Sequence, residues 1–369
     1  MVVFSHAQGD ALNEAIKAGG SFSRFSSLPL DAGVDLFFVI SGFIMVHASQ
    51  RLFAMPGAGS NFISRRLIRI VPLYWLMTAI MLAILGYAAW AGKHEFPSVA
   101  EIVASLTFVP FARPEDGAPR PILSLGWTLN YEIFFYVVFS LFVRFERHRA
   151  VATIALTLTL AVGLGFVLRP ASTVLNYWSD AIVLEFVLGM LIALLWQHGF
   201  GLRRTLAIPF VLAGLAGLMC DFDGLAMGPP GAVEANGFER LFGCGVPMAL
   251  IFGAVVLAKP QFSPQGSLPS FLMLLGDASY ALYLSHPLII IFARKAYLAI
   301  GLQAALGYWP LIAAEIPMAV GLALLIHKGI EKPVSAILQK WQRDRAAAKP
   351  AVSWPVSGSS PGMTPPTRH

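Results

Sequence analysis

LGWTLNYEIFFYVVFSLFV, residues 125–143, decides the class of this protein. The run has the length and apolarity of a bilayer-spanning helix, yet Glu132 stands in its aromatic-rich first half. An ionisable side chain costs about 2.5–3.5 kcal/mol at the centre of a spanning helix, so it faces a partner or a wet cavity rather than lipid. On position alone, a structural carboxylate satisfied by a neighbouring helix and a functional one weigh nearly the same. Other polar groups in apolar segments must break the tie.

Composition extends this reading to the whole chain. Of 369 residues 57% are hydrophobic and only 12% charged, with a mean hydropathy of +0.69, which leaves too little polar surface for a soluble globular protein. Apolar stretches fall near 33–50, 71–91, 123–143, 150–168, 180–197, 206–220, 241–258, 272–298 and 308–328, which predicts about nine spans of helical length. Helices are required because an open strand in lipid leaves backbone groups unpaired, and the runs lack a barrel's alternation. The start departs from this pattern. MVVFSH, residues 1–6, reads as the last turns of an apolar helix, with Gln8, Gly9 and Asp10 opening a polar loop. The expectation is a first span missing its beginning, as a start codon placed too late or a truncated product would leave it; a signal peptide has a longer apolar core and a basic flank.

Alternating the spans gathers Arg51, Arg65, Arg66, Arg69, Arg144, Arg147, Arg149, Arg203, Arg204, Lys259 and the basic tail from Lys328 on one side. The positive-inside rule makes that side cytoplasmic and gives a multi-pass protein with a cytoplasmic C-terminus. The net charge of +6 is then a matter of topology and lipid headgroups, not of nucleic acid. Residues 334–369 read as a largely disordered cytoplasmic tail, basic and rich in Pro and Ser. Cys220 and Cys244 read as lying near the outer ends of adjacent spans, where an oxidising compartment would permit a disulfide, although two small buried hydrophobes is the better reading. Neither has metal-ligand spacing, and no metal is expected.

Four polar constellations remain. His6 and Asp35, in GVDLFFVISGF, match in depth at the outer side; a carboxylate on one ring nitrogen would make the other a general base, against the plainer reading of Asp35 as a helix-start cap. Arg66 and Arg69, in ISRRLIRIVPLYW, share a helix face and can present two guanidinium forks to a phosphorylated ligand, whereas Arg65 reads as an anchor to lipid phosphates. Ser279, Tyr280, Tyr283 and His286, in LGDASYALYLSHPL, form a polar stripe along two turns, with Pro287 expected to bend the helix. Glu132 is the fourth. Tyr74, Trp75, Tyr177, Trp178, Tyr308 and Trp309 read as membrane-interface anchors.

VVFSH, GVDLFFVISGF, FISRRLIRIVPLYW, LGWTLNYEIFFY, LGDASYALYLSHP and the closing EKP, in that order, resemble the acyltransferase 3 family of integral-membrane O-acyltransferases. Within it they are most similar to the branch that acetylates bacterial exopolysaccharides such as succinoglycan. The resemblance covers residues 1–333 as one membrane domain. It implies an all-α polytopic bundle of about ten helices, the first truncated, in the bacterial inner membrane. Acetyl-CoA is implied as cytoplasmic donor and a carbohydrate hydroxyl as acceptor, with membrane lipids and polysaccharide-synthesis machinery as partners. By motif, His6 matches the family's essential histidine, Arg66 and Arg69 its R-x-x-R pair, Glu132 its acidic position, and His286 its tyrosine–histidine motif. The family's arginine upstream of that histidine has no counterpart here. His6 would act as general base or as nucleophile, Asp35 would orient it, and Glu132 would hold the acceptor or balance charge. The competing class is a carrier of an acyl or glycan unit without chemistry, since buried His, Glu and Arg also line transport paths.

Overall fold

Every apolar segment read from the sequence coincides with helix in the computed structural model, which describes all residues except 27–28, 94, 115, 221–236, 259–266 and 348–369. In chain order the helices are α1 (Val2–Lys17), α2 (Gly33–Ala48), α3 (Ala58–Trp90), α4 (Val99–Leu106), α5 (Trp127–Phe142), α6 (Arg147–Leu168), α7 (Thr173–Trp178) and α8 (Leu184–Gln197). They continue with α9 (Arg204–Met219), α10 (Gly237–Arg240), α11 (Val246–Leu257), α12 (Ser267–Asp277), α13 (Ser279–Ala299), α14 (Leu302–Leu306), α15 (Trp309–Ile326) and α16 (Lys332–Ala347). The all-α membrane bundle expected from the sequence is therefore observed. Among the described residues seven helical stretches are long and apolar enough to cross a membrane, eight if the bent pair α12–α13 is one span, and α9 is a shorter apolar helix. The expected number of ten is not reached among them.

Three boundaries correct the sequence reading. First, α1 does not end at His6 but runs unbroken to Lys17. Its polar residues are not loop signals: Asp10 and Glu14 lie one turn apart and both accept from Arg294 Nη1 of α13, at 2.6 and 3.2 Å. Second, α3 begins at Ala58, so Arg66 and Arg69 lie two to three turns inside the helix instead of opening it. Third, α13 continues through Pro287, and the sharp bend, 75°, comes at the junction of α12 and α13. The stretch expected to be a tail begins as α16, whose Gln342 donates to Ser64 Oγ of α3. Residues beyond 347 lie outside the described residues. Cys220 is exposed and Cys244 buried, with no disulfide between them.

The bundle closes on α2 and α8, whose backbones touch. A Cβ on Gly42 would lie 2.1 Å from the Phe186 carbonyl oxygen, and one on Gly189 would lie 1.9 Å from that of Val39. In lipid, helix association depends on this close approach of small residues, because lipid tails are as apolar as leucine. Gly42→Val or Gly189→Val is accordingly expected to abolish assembly, read as loss of the monodisperse peak in fluorescence-detected size-exclusion chromatography. Gly163→Ala, where a Cβ meets nothing within 4 Å, is expected to leave that peak intact.

Aromatic side chains tie the helices at several heights by donating to main-chain carbonyls. Tyr74 OH reaches Ser105 O at 3.1 Å, Trp75 Nε1 reaches Leu106 O at 3.0 Å, and Tyr177 OH reaches Trp127 O at 2.7 Å. Tyr280 OH reaches Ile70 O at 2.7 Å and Tyr283 OH reaches Leu125 O at 2.9 Å. Tyr74 and Tyr177 are buried; they are cross-links inside the bundle, not the interface anchors their place near span ends suggested.

Candidate active site

Two cavities meet between α1, α2, α3, α5 and α13. The larger, about 440 Å³, is lined on α2 from Gly33 to Met45, on α3 by Arg66, Arg69 and Ile70, on α5 by Thr128, Glu132 and Tyr136, and on α13 by Ser279, Tyr280 and Tyr283. Twelve residues of helix separate its ends along α2, about 18 Å at 1.5 Å per residue. The smaller, about 20 Å³, is lined by His6, Asp31, Val34, Leu125, Trp127, Arg240 and Tyr283. Val34 and Tyr283 belong to both. They are the partition between a long, mainly apolar cleft and a small polar chamber.

In the large cavity the polar groups divide by sign. Glu132 is buried, and its Oε1 accepts from Ser41 Oγ at 3.1 Å and from Tyr136 OH. Arg66 and Arg69 line the same wall, and neither forms an ion pair among the described residues. Arg66 is half-buried and Arg69 exposed, and the one carboxylate on this cavity, Glu132, acts on both at longer range; two guanidinium groups so placed can receive an anion. Arg65, next in sequence, is exposed and does not line the cavity. Ser279 and Tyr280 close the opposite wall, with the Tyr280 hydroxyl already engaged by Ile70.

The small chamber is organised around His6. Its Nδ1 lies 2.9 Å from His286 Nε2, and His286 Nδ1 lies 3.0 Å from the Leu282 carbonyl. Asp31 is the nearest carboxylate: it accepts from Ser5 Oγ at 2.6 Å. Burial pushes the His6 imidazole below its usual value and the charge of Asp31 pulls the other way; α1 is not among the candidate spans. A ring so held is neutral at physiological pH, with one nitrogen free to take a proton. Tyr283 OH, 2.9 Å from Thr128 Oγ1 and 2.9 Å from Leu125 O, fixes the shared wall.

The expected His6–Asp35 pair is not formed. Asp35 is fully buried and takes a bidentate contact from Arg240, Nε to Oδ1 at 2.9 Å and Nη2 to Oδ2 at 2.8 Å. Nor does its side chain cap α2. The physical reason is charge: a carboxylate sealed among helices needs a counter-charge, and a guanidinium satisfies both oxygens where a neutral imidazole satisfies one. Glu132 also departs from one expected role, since it lines the cavity with the arginines and not the chamber with His6. The polar stripe divides likewise, with Ser279 and Tyr280 in the cleft, Tyr283 in the partition and His286 behind His6.

Sequence reasoning gave no site role to Arg240, Tyr136 or Asp31, and it passed over Glu185 and Glu315. Arg240, Glu185 and Glu315 carry a usable signal, each being an ionisable residue within an apolar helical stretch. Tyr136 follows Glu132 by one helical turn, spacing at which side chains meet. Asp31 carries none, because it sits in a short turn before α2 whose position depends on the fold.

Comparison with known proteins bears on this arrangement. The model of the acyltransferase domain family known as acyltransferase 3 matches residues 1–328. Exopolysaccharide production protein ExoZ of Rhizobium meliloti is 39% identical over 276 residues, 74% of this chain and 80% of that protein. Acyltransferase MdmB of Streptomyces mycarofaciens is 25% identical over 347 residues, 86% of this chain and 84% of that protein. O-acetyltransferase OatA of Staphylococcus aureus is 24% identical over 338 residues, 82% of this chain but only 52% of that protein. No solved structure matches.

Proposed function

We propose a function from one premise: this chain belongs to the acyltransferase 3 family, and is thus a membrane-embedded O-acyltransferase. The proposed reaction moves an acetyl group from cytoplasmic acetyl-CoA to a hydroxyl of an exopolysaccharide or of its lipid-linked sugar precursor. The observation that carries it is the pair of joined cavities, with Arg66 and Arg69, which form no close ion pair among the described residues, on one wall of the cleft and His6 behind the partition. Arg66 and Arg69 would bind CoA phosphates, with Glu132 limiting the excess positive charge between visits of the donor. The thioester arm would follow the cleft along α2 to the partition. The similarity to ExoZ, whose name is exopolysaccharide production protein, supports a carbohydrate acceptor.

At the chamber the electron bookkeeping is simple. His6 takes the proton of the acceptor hydroxyl as that oxygen attacks the acetyl carbonyl carbon; the C–S bond breaks, and the departing thiolate recovers the proton from the His6 imidazolium. Asp31 and Tyr283 hold the chamber's shape. Asp35, committed to Arg240, acts on stability rather than on the proton.

The test is transfer of radiolabel from acetyl-CoA to extracted polysaccharide by the detergent-purified protein, alongside O-acetyl content in a deletion strain complemented with the gene. A carrier without chemistry gives neither thioester consumption nor label in the polysaccharide, and that result overturns the proposal. Within the same assay Arg66→Ala is expected to raise the KM for acetyl-CoA about 10- to 100-fold, the value of one charge-assisted contact of about 1.5–3 kcal/mol. Turnover changes less, and Arg65→Ala leaves both constants near wild type. Arg66→Lys recovers only part of the affinity, since an ammonium cannot reproduce the planar fork.

A further inference from the structure

We infer that His286 is a positioning residue that locks His6 in the tautomer that leaves Nε2 as the basic nitrogen, an inference that rests on the reading of His6 above. One group in the chain of contacts has no choice of role. The Leu282 carbonyl oxygen can only accept, so His286 Nδ1, 3.0 Å away, carries the proton. A neutral imidazole protonated there has its lone pair on Nε2. That nitrogen faces His6 Nδ1 at 2.9 Å, and one proton must lie between them, so His6 Nδ1 is the donor. His6 Nε2 is then left bare, and it has no hydrogen-bond partner among the described residues.

The chain of two imidazoles thus runs in one direction, set at its far end by a backbone carbonyl. When His6 takes a second proton on Nε2, its Nδ1–H still points at the His286 lone pair, so the charged form needs no rearrangement. His286 lies on α13, is fully buried and does not line the chamber, hence it acts through His6 and not on the substrate. The other ionisable groups facing His6 are Asp31, Arg240 and Tyr283. Arg240 is engaged by Asp35, Asp31 by Ser5 and Tyr283 by Leu125.

Two measurements test this. In ¹⁵N-histidine-labelled protein in detergent, with signals assigned from His6→Ala and His286→Gln spectra, ¹⁵N shifts of His6 are expected to report Nδ1–H and a bare Nε2. His286→Gln offers an amide oxygen in place of Nε2 and is expected to keep that tautomer and to lower turnover less than about 5-fold. His286→Leu removes the acceptor; His6 is expected to become a mixture of tautomers and its imidazolium to lose a hydrogen bond, so that turnover falls about 10- to 100-fold at unchanged KM for acetyl-CoA, chiefly the worth of that charged hydrogen bond. Nε2–H on His6 in the unmodified protein overturns the inference, as does an unchanged tautomer in His286→Leu. Should that variant not fold, the wild-type and His286→Gln spectra decide. A tautomer as expected, combined with normal transfer by His6→Ala, keeps the lock and overturns the catalytic reading of His6.

Discussion

His6→Ala is expected to remove acyl transfer, lowering it at least about 10²–10⁴-fold as loss of a general base does, while the protein remains in the membrane at normal levels. Little of the fold depends on this imidazole. His6 gives up one hydrogen bond to His286, whereas α1 is held independently by Ala7 and Ala11 packed on Ile290 and Ile312, and by Asp10 and Glu14 on Arg294. The measurement is O-acetyl content of the surface polysaccharide in a complemented deletion strain, with protein quantified in the same membranes. His6→Gln is the sharper version, because it retains size and polarity without a base of useful strength. Wild-type acetylation by either variant removes His6 from the chemistry.

Asp35→Ala is expected to have its largest effect on stability. It leaves Arg240, whose side chain is 16% exposed, against the Trp127 ring, 5.7 Å from its centroid, without the carboxylate that satisfies it, and breaking a fully buried pair costs about 3–5 kcal/mol, the upper bound here. For a helical membrane protein that appears as a large fall in the thermal midpoint in detergent. Asp35→Ala combined with Arg240→Leu is expected to recover most of the loss, since removing both charges removes the uncompensated one. If Asp35→Asn instead keeps the midpoint and abolishes transfer, Asp35 serves the reaction and not the stability of the bundle.

Much of the architecture was legible because membrane helices advertise themselves by continuous apolarity, and each such run formed a helix. The cleft was partly legible too. Arg66, Arg69 and Glu132 stood out as charges in apolar surroundings, and they do share a cavity. What sequence could not supply was partnership. Asp35 meets Arg240 across 205 residues and His6 meets His286 across 280, separations over which no local periodicity operates. The error in α1 has a related cause. Asp10 and Glu14 look like loop residues until Arg294 is brought against them, so a polar helix face with a distant counter-charge reads as the end of a helix.

The tyrosine and tryptophan bonds to main-chain carbonyls carry a consequence for how this chain can change over generations. In each, one end is written in a side chain and the other is a carbonyl that any amino acid supplies. Ile70, Leu125 and Trp127 can therefore drift in identity, within what packing allows, without breaking the tie that Tyr280, Tyr283 or Tyr177 makes to them. Such contacts leave no paired substitutions in a set of relatives. Co-variation, which finds helix neighbours by compensating exchanges, will be silent at these crossings and will report instead on side chain to side chain contacts such as Asp35–Arg240.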